Sequence, residues 1–107
     1  MSQITTHVLD TARGRPAGGI AVTLEFASEG QWIALGSGTT GGDGRLRDLV
    51  PAGVQLRPGS YRISFATAAY STFYPRVEVT FLIENLFEHY HIPLLLSPFG
   101  YSTYRGS

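Results

Sequence analysis

The chain has no cysteine, and that single absence removes disulfides, thiol nucleophiles and thiolate metal ligands together. Charge is balanced and sparse. Eight Lys plus Arg stand against eight Asp plus Glu, for a formal net charge of zero with no basic run, so the electrostatic footprint of a nucleic-acid binder is missing. No window approaches the roughly 18 apolar residues of a membrane span, and the opening MSQITTHVLD has neither the basic nor the apolar region of a signal peptide. The closing Arg-Gly-Ser is not a peroxisomal address of Ser-Lys-Leu type. These absences predict a soluble protein of the cytoplasm. No repeat and no linker interrupts the chain, and a single domain is expected over residues 1–107.

What is present is a modest apolar fraction, 43% of 107 residues. A chain of that size buries somewhat over about 60% of its unfolded surface in one core, which leaves no room for a large internal pocket. A small-molecule cleft of roughly 300 Å³ or more then has to open at a surface or between subunits, and oligomerisation is expected.

Taken in order, the chain reads as short alternating strands separated by turn signals, the pattern of a sandwich or barrel. Residues 4 to 9 alternate and stop at Asp10, and the glycine- and proline-bearing segment 11 to 19 is a loop. Ile20, Val22, Leu24 and Phe26 share one face of the next strand, and residues 31 to 38 return after Glu29-Gly30. The Asp43-Gly44 pair favours positive φ in a tight connection, and a short strand from Arg45 to Leu49 follows it. Tyr61, Ile63 and Phe65 alternate in one later strand and Val77, Val79, Phe81 and Ile83 in another. Between them, Ala66 to Thr72 is the one plausible helix, about two turns at most. The count is seven or eight strands, all expected to be antiparallel.

The last stretch, HYHIPLLLSPFGYSTYRGS from His89 to Ser107, carries more chemistry than a terminal strand needs. Tyr90, Ile92, Leu94 and Leu96 form one apolar set that reads as core, and His91, Pro93 and Leu95 form the other face. A hairpin around residues 97 to 100 sets His91 beside Tyr104 on one surface. Pro93 is out of place in a central strand, where it cannot donate to the ladder, so a bulge or distorted pairing beside His91 is expected. His7 lies on the face of its strand that also holds Thr5 and Leu9. His89 and His91 at i, i+2 are placed as metal ligands are, yet no Asp, Glu or Cys completes a zinc spacing, and no metal is expected. Ser107 invites a serine-hydrolase reading, but no G-x-S-x-G elbow is present. The residue types instead support water activation by a neutral imidazole, with a guanidinium holding an anion or developing oxyanion through a forked pair of donors.

ITTHVLDTARGRPA at the start, DGR at 43 to 45, YPRVEVTF at 74 to 81 and EHYHIPLLLSPFGYSTYRGS at the end together resemble the 5-hydroxyisourate hydrolases, the transthyretin-related enzymes of purine breakdown. The resemblance runs in register over essentially the whole chain, and the terminal Tyr-Arg-Gly-Ser distinguishes those enzymes from the hormone-carrying transthyretins. It implies an all-β, transthyretin-like fold: a two-sheet antiparallel β-sandwich with one short helix, paired through edge strands and stacked into a homotetramer with sites in the channel between dimers. It further implies hydrolysis of 5-hydroxyisourate to 2-oxo-4-hydroxy-4-carboxy-5-ureidoimidazoline in urate degradation, with no cofactor. The family's catalytic residues fall on His7, Arg45 and His91, and substrate binding on His7, Arg45, Tyr104, Arg105 and Ser107. His89 reads as the solvent-side start of its strand. The competing reading is a non-catalytic transthyretin-like carrier of a small aromatic ligand, whose channel would be walled by apolar groups.

Overall fold

A computed structural model of the chain describes residues 2–106, and its strands fall where the alternation puts them. In chain order they are β1 (Ile4–Asp10), β2 (Arg15–Pro16), β3 (Ala21–Ser28), β4 (Gln31–Thr39), β5 (Arg45–Leu46), β6 (Gly59–Ala66), β7 (Arg76–Ile83), β8 (Tyr90–Ser97) and β9 (Gly100–Thr103). One sheet has the order β2-β1-β8-β9, with β5 also paired to β1, and the other has the order β4-β3-β6-β7. Two of the nine are two-residue pieces, β2 inside the expected loop and β5 at the start of the expected strand from Arg45. They divide one edge of β1 between them, β5 at Thr6 and His7 and β2 at Leu9 and Asp10.

The inner faces meet in one core. Val22, Leu24 and Phe26 of β3 and Tyr61, Ile63 and Phe65 of β6 are buried against Ile4 and Val8 of β1 and Tyr90, Ile92, Leu94 and Leu96 of β8. Each such large side chain contributes about 1.5–3 kcal/mol through burial. Because side chains alternate, burying the even-numbered residues of β8 turns His91 to the opposite face of the sheet. The fold thus presents that face while hiding the other.

Two expectations need correction and a third is met in part. β1 and β8 pair in parallel, with Thr5 opposite His91 and His7 opposite Pro93, because strands from opposite ends of the chain are joined by a crossover long enough to permit either direction. Alternation carries no information about direction. Ala66 to Thr72 forms no helix: it leaves β6 as a single turn in which the Tyr70 and Ser71 amides donate to the Thr67 carbonyl, each at 2.9 Å. The Thr67 hydroxyl donates to the Tyr74 carbonyl at 2.6 Å and the Ser71 hydroxyl accepts from the Tyr74 amide at 3.1 Å. Such local side-chain bonds compete with helix propagation, and so short a segment does not repay its nucleation. Pro93, finally, brings no bulge between β1 and β8, and the distorted pairing expected beside His91 lies on the other side of the strand, toward β9. Its neighbour two residues back, His91, accepts from Gly106 at 2.8 Å on the β9 side, so the donor that Pro93 lacks faces β9 as well. There the ladder stops at Leu94 with Thr103 and resumes as an isolated bridge between His91 and Gly106. The proline sits in that gap, where the Thr103 hydroxyl donates to its carbonyl at 2.6 Å.

Among the described residues no helix is long and apolar enough to cross a membrane.

Candidate functional site

The outward face of the first sheet gathers its polar groups around β1. His7 and Arg45 are opposite each other across the β1–β5 ladder, and Thr5 and His91 across the β1–β8 ladder. The Asp43-Gly44 turn delivers Arg45 to that place. Gly44 has φ of 76° and an added Cβ would lie 2.3 Å from the Val8 carbonyl, so only glycine permits the approach. The Val8 amide donates to the Gly44 carbonyl at 2.8 Å, fastening the turn to β1 beside His7.

His7 is half-buried, and its Nε2 is 2.9 Å from the Asp43 carbonyl. A carbonyl only accepts, so the ring donates an N–H there and the neutral imidazole keeps its lone pair on Nδ1. Asp43 itself is committed to the turn. The Arg45 amide donates to its Oδ1 at 3.0 Å and Arg47 pairs with Oδ2 at 3.4 Å. That amide bond is the largest influence and, with a lesser pull from the Arg47 charge, holds its carboxyl below the usual range against an opposing effect of desolvation that is intermediate in size.

His91 is also half-buried, with Nδ1 2.8 Å from the Thr5 hydroxyl. Burial is the main influence that pushes its pKa below the ordinary 6.5, followed by repulsion from the positive charges of His89, Arg45 and His7. A backbone hydrogen bond with Thr5 acts the other way. The imidazole is therefore neutral near pH 7 and able to take a proton. Gly106 packs against it, since an added Cβ would come within 2.6 Å of His91 Cδ2. The terminal Tyr-Arg-Gly run thus reaches His91 through a residue with no side chain.

The structure brings His7, Arg45 and His91 onto one face. Tyr104 is 60% exposed and borders a cavity of about 240 Å³ with Val79, Phe81, Tyr90 and Ile92. The Arg105 guanidinium pairs with Glu88 at 2.6 Å and stacks over Tyr90, 4.5 Å from the ring centroid. Ser107 lies outside the described residues. His89 is exposed, as read from sequence, yet it joins the cluster: its Nε2 is 3.1 Å from the Thr5 hydroxyl and its ring lies 15° from parallel to that of His91. Thr5 is the residue that sequence reasoning passed over. Its signal was there in the shared face with His7, but a threonine in a strand looks like ordinary β-former. Among the described residues no group of three His, Cys, Asp or Glu side chains is placed to hold a metal ion.

Comparison with known proteins gives a consistent answer. The family described as HIUase/Transthyretin matches residues 4–106. The chain is 48% identical over 122 residues to the uric acid degradation bifunctional protein TTL of Arabidopsis thaliana, covering 97% of this chain but 37% of that protein. It is 45% identical over 114 residues to the 5-hydroxyisourate hydrolase of Mus musculus, covering 99% of this chain and 96% of the mouse protein. Among solved structures, sea bream transthyretin in complex with thyroxine superposes with a TM-score of 0.88 at 31% identity, over 98% of this chain and 95% of that one.

Proposed function

The chain belongs to the HIUase/transthyretin family, and from the face that joins His7, Arg45 and His91 we propose that it hydrolyses 5-hydroxyisourate in urate degradation. Fold does not decide between hydrolase and carrier, because the sea bream transthyretin shares the same architecture. The polar face does. A carrier channel is mostly apolar with few polar groups, whereas this face presents an arginine and three imidazoles.

The single observation that carries the reading is the meeting on one face of His7 and Arg45, opposite each other across the β1–β5 ladder, with His91 across the β1–β8 ladder. In the proposed reaction His91, with His7, removes a proton from a water whose oxygen attacks a ring carbonyl carbon of the substrate. Negative charge develops on the carbonyl oxygen, and the Arg45 guanidinium stabilises it through forked donors. The tetrahedral intermediate collapses by breaking the ring C–N bond, and the imidazolium returns its proton to the departing nitrogen. Tyr104, Arg105 and Ser107 belong to the substrate side of the same proposal, and no cofactor takes part.

Assembly into a homotetramer with sites between dimers is part of this reading. Large exposed side chains support it, among them Phe87 at 99% and Phe99 at 72% exposure, which a monomer gains nothing by showing to water. The decisive experiment follows the ultraviolet absorbance of freshly generated 5-hydroxyisourate with and without purified protein. Decay no faster than the spontaneous rate refutes the proposal.

A further inference from the structure

Thr5 is only 4% exposed, and its hydroxyl faces two imidazole nitrogens, His91 Nδ1 at 2.8 Å and His89 Nε2 at 3.1 Å. A hydroxyl has one proton to give. Of these two contacts it can donate one, and the other has to be donated by a ring N–H. The protonation sites of His89 and His91 are therefore linked through one oxygen. In one arrangement the His91 Nδ1–H donates to Thr5, the Thr5 proton goes to His89 Nε2, and the His91 lone pair lies on Nε2. In the reverse arrangement His89 Nε2–H donates to Thr5, Thr5 donates to His91 Nδ1, and His91 Nε2 carries a hydrogen and cannot act as a base.

We propose that Thr5 and His89 are positioning residues that hold neutral His91 as the Nδ1–H tautomer, with the lone pair of Nε2 presented to the substrate water. The inference rests on the hydrolase reading for its catalytic consequence, but the tautomer itself is a property of the resting protein. His91 Nδ1 is turned toward Thr5, so Nε2 is the only nitrogen left to take a proton from water, and it can do so in this arrangement and not in its reverse. His89, exposed on the outer end of the chain of contacts, supplies the acceptor that commits the Thr5 proton away from His91.

The test is two-bond proton–nitrogen NMR correlation of the His91 ring at pH 7.5, beside kcat and KM for 5-hydroxyisourate, in the full-length protein and three variants. Wild type is expected to show Nδ1 protonated and Nε2 bare. Thr5→Val keeps the shape but removes the hydroxyl, and it should move His91 toward the Nε2–H tautomer and lower kcat about tenfold with KM within twofold. Thr5→Ser should restore both the tautomer and most of the rate. His89→Leu, at an exposed position where folding is not at stake, frees the Thr5 proton and should shift the His91 signals in the same direction as Thr5→Val. A wild-type spectrum with His91 Nε2 protonated overturns the inference, and so do unchanged spectra in both Thr5→Val and His89→Leu. Wild-type protein with the Nδ1–H spectrum but no hydrolysis would support the positioning and refute the hydrolase reading, so the two failures are distinguishable.

Discussion

His7 and Arg45 stand opposite each other across a two-residue ladder between β1 and β5, so the imidazole and the guanidinium enter the same face from neighbouring strands. A pairing that short contributes little to the sheet. In the proposed mechanism it places a cation next to a base, and on that reading substitutions there should separate kinetics from stability.

Arg45→Lys is the sharpest such case. The side chain is exposed, and lysine keeps the charge but not the planar fork. Losing both parallel hydrogen bonds to the substrate should cost about 3 kcal/mol, or roughly a hundredfold in kcat/KM, with no change in melting temperature. Steady-state kinetics beside a thermal melt checks it, and unchanged kinetics would remove Arg45 from the substrate clamp.

His7→Asn should lower kcat by about a hundredfold or more, the usual scale for losing a general base. Asparagine is too short to replace the bond from His7 Nε2 to the Asp43 carbonyl, but the Val8 amide still donates to the Gly44 carbonyl, so the turn carrying Arg45 should hold. Circular dichroism confirms the fold while turnover is measured; full activity in a folded variant excludes His7 from proton transfer.

The pH dependence follows from His91, whose folded pKa lies below the ordinary 6.5 chiefly because burial disfavours its charged form. A base with that shift stays unprotonated below the ordinary value, so the acid limb of kcat/KM should have its midpoint under about 6.5. The sign for stability agrees. The folded state binds this proton less readily than the unfolded state, so the contribution of the neutral ring is present above the unfolded pKa and is lost as pH falls through the folded one. An acid limb centred above 6.5 that persists in His91→Asn would contradict the kinetic half, and a wild-type stability that rises as pH falls through this range, with the rise lost in His91→Asn, would contradict the other.

Gly106→Ala places a methyl group 2.6 Å from His91 Cδ2. Either the ring turns or the tail lifts, and overpacking of that kind costs about 1–3 kcal/mol locally. The expected outcome is a fall in kcat of at least tenfold with a melting temperature lowered by roughly 4 °C or more. Wild-type turnover in this variant would show that the tail does not hold His91.

What could be read from sequence was what alternation encodes. Tyr90, Ile92, Leu94 and Leu96 are all buried, as are Val22, Leu24 and Phe26, and the same parity put His7 and His91 on the other face. Strand direction was not legible, because a parallel and an antiparallel β1–β8 pair show the same alternation. The segment after β6 misled because alanine-rich composition suggests helix, while the hydroxyls of Thr67 and Ser71 take the backbone partners a helix needs. Thr5 was hidden for a third reason. Its importance comes from the distance of one oxygen to two rings on a strand far away in the chain, which no local pattern records.

The parallel seam of β1 and β8 joins residues 4–10 to residues 90–96, and this has a bearing on how the protein is made. The β3–β4, β6–β7 and β8–β9 hairpins close between sequence neighbours, at little entropic cost. The seam must wait until residues 90–96 have left the ribosome, long after residues 4–10 have. Thr5, His7 and His91 meet only across that seam. A nascent or truncated chain lacking β8 therefore does not bring these three side chains together, and under the proposed mechanism the onset of activity during synthesis would time the closing of this one strand pair.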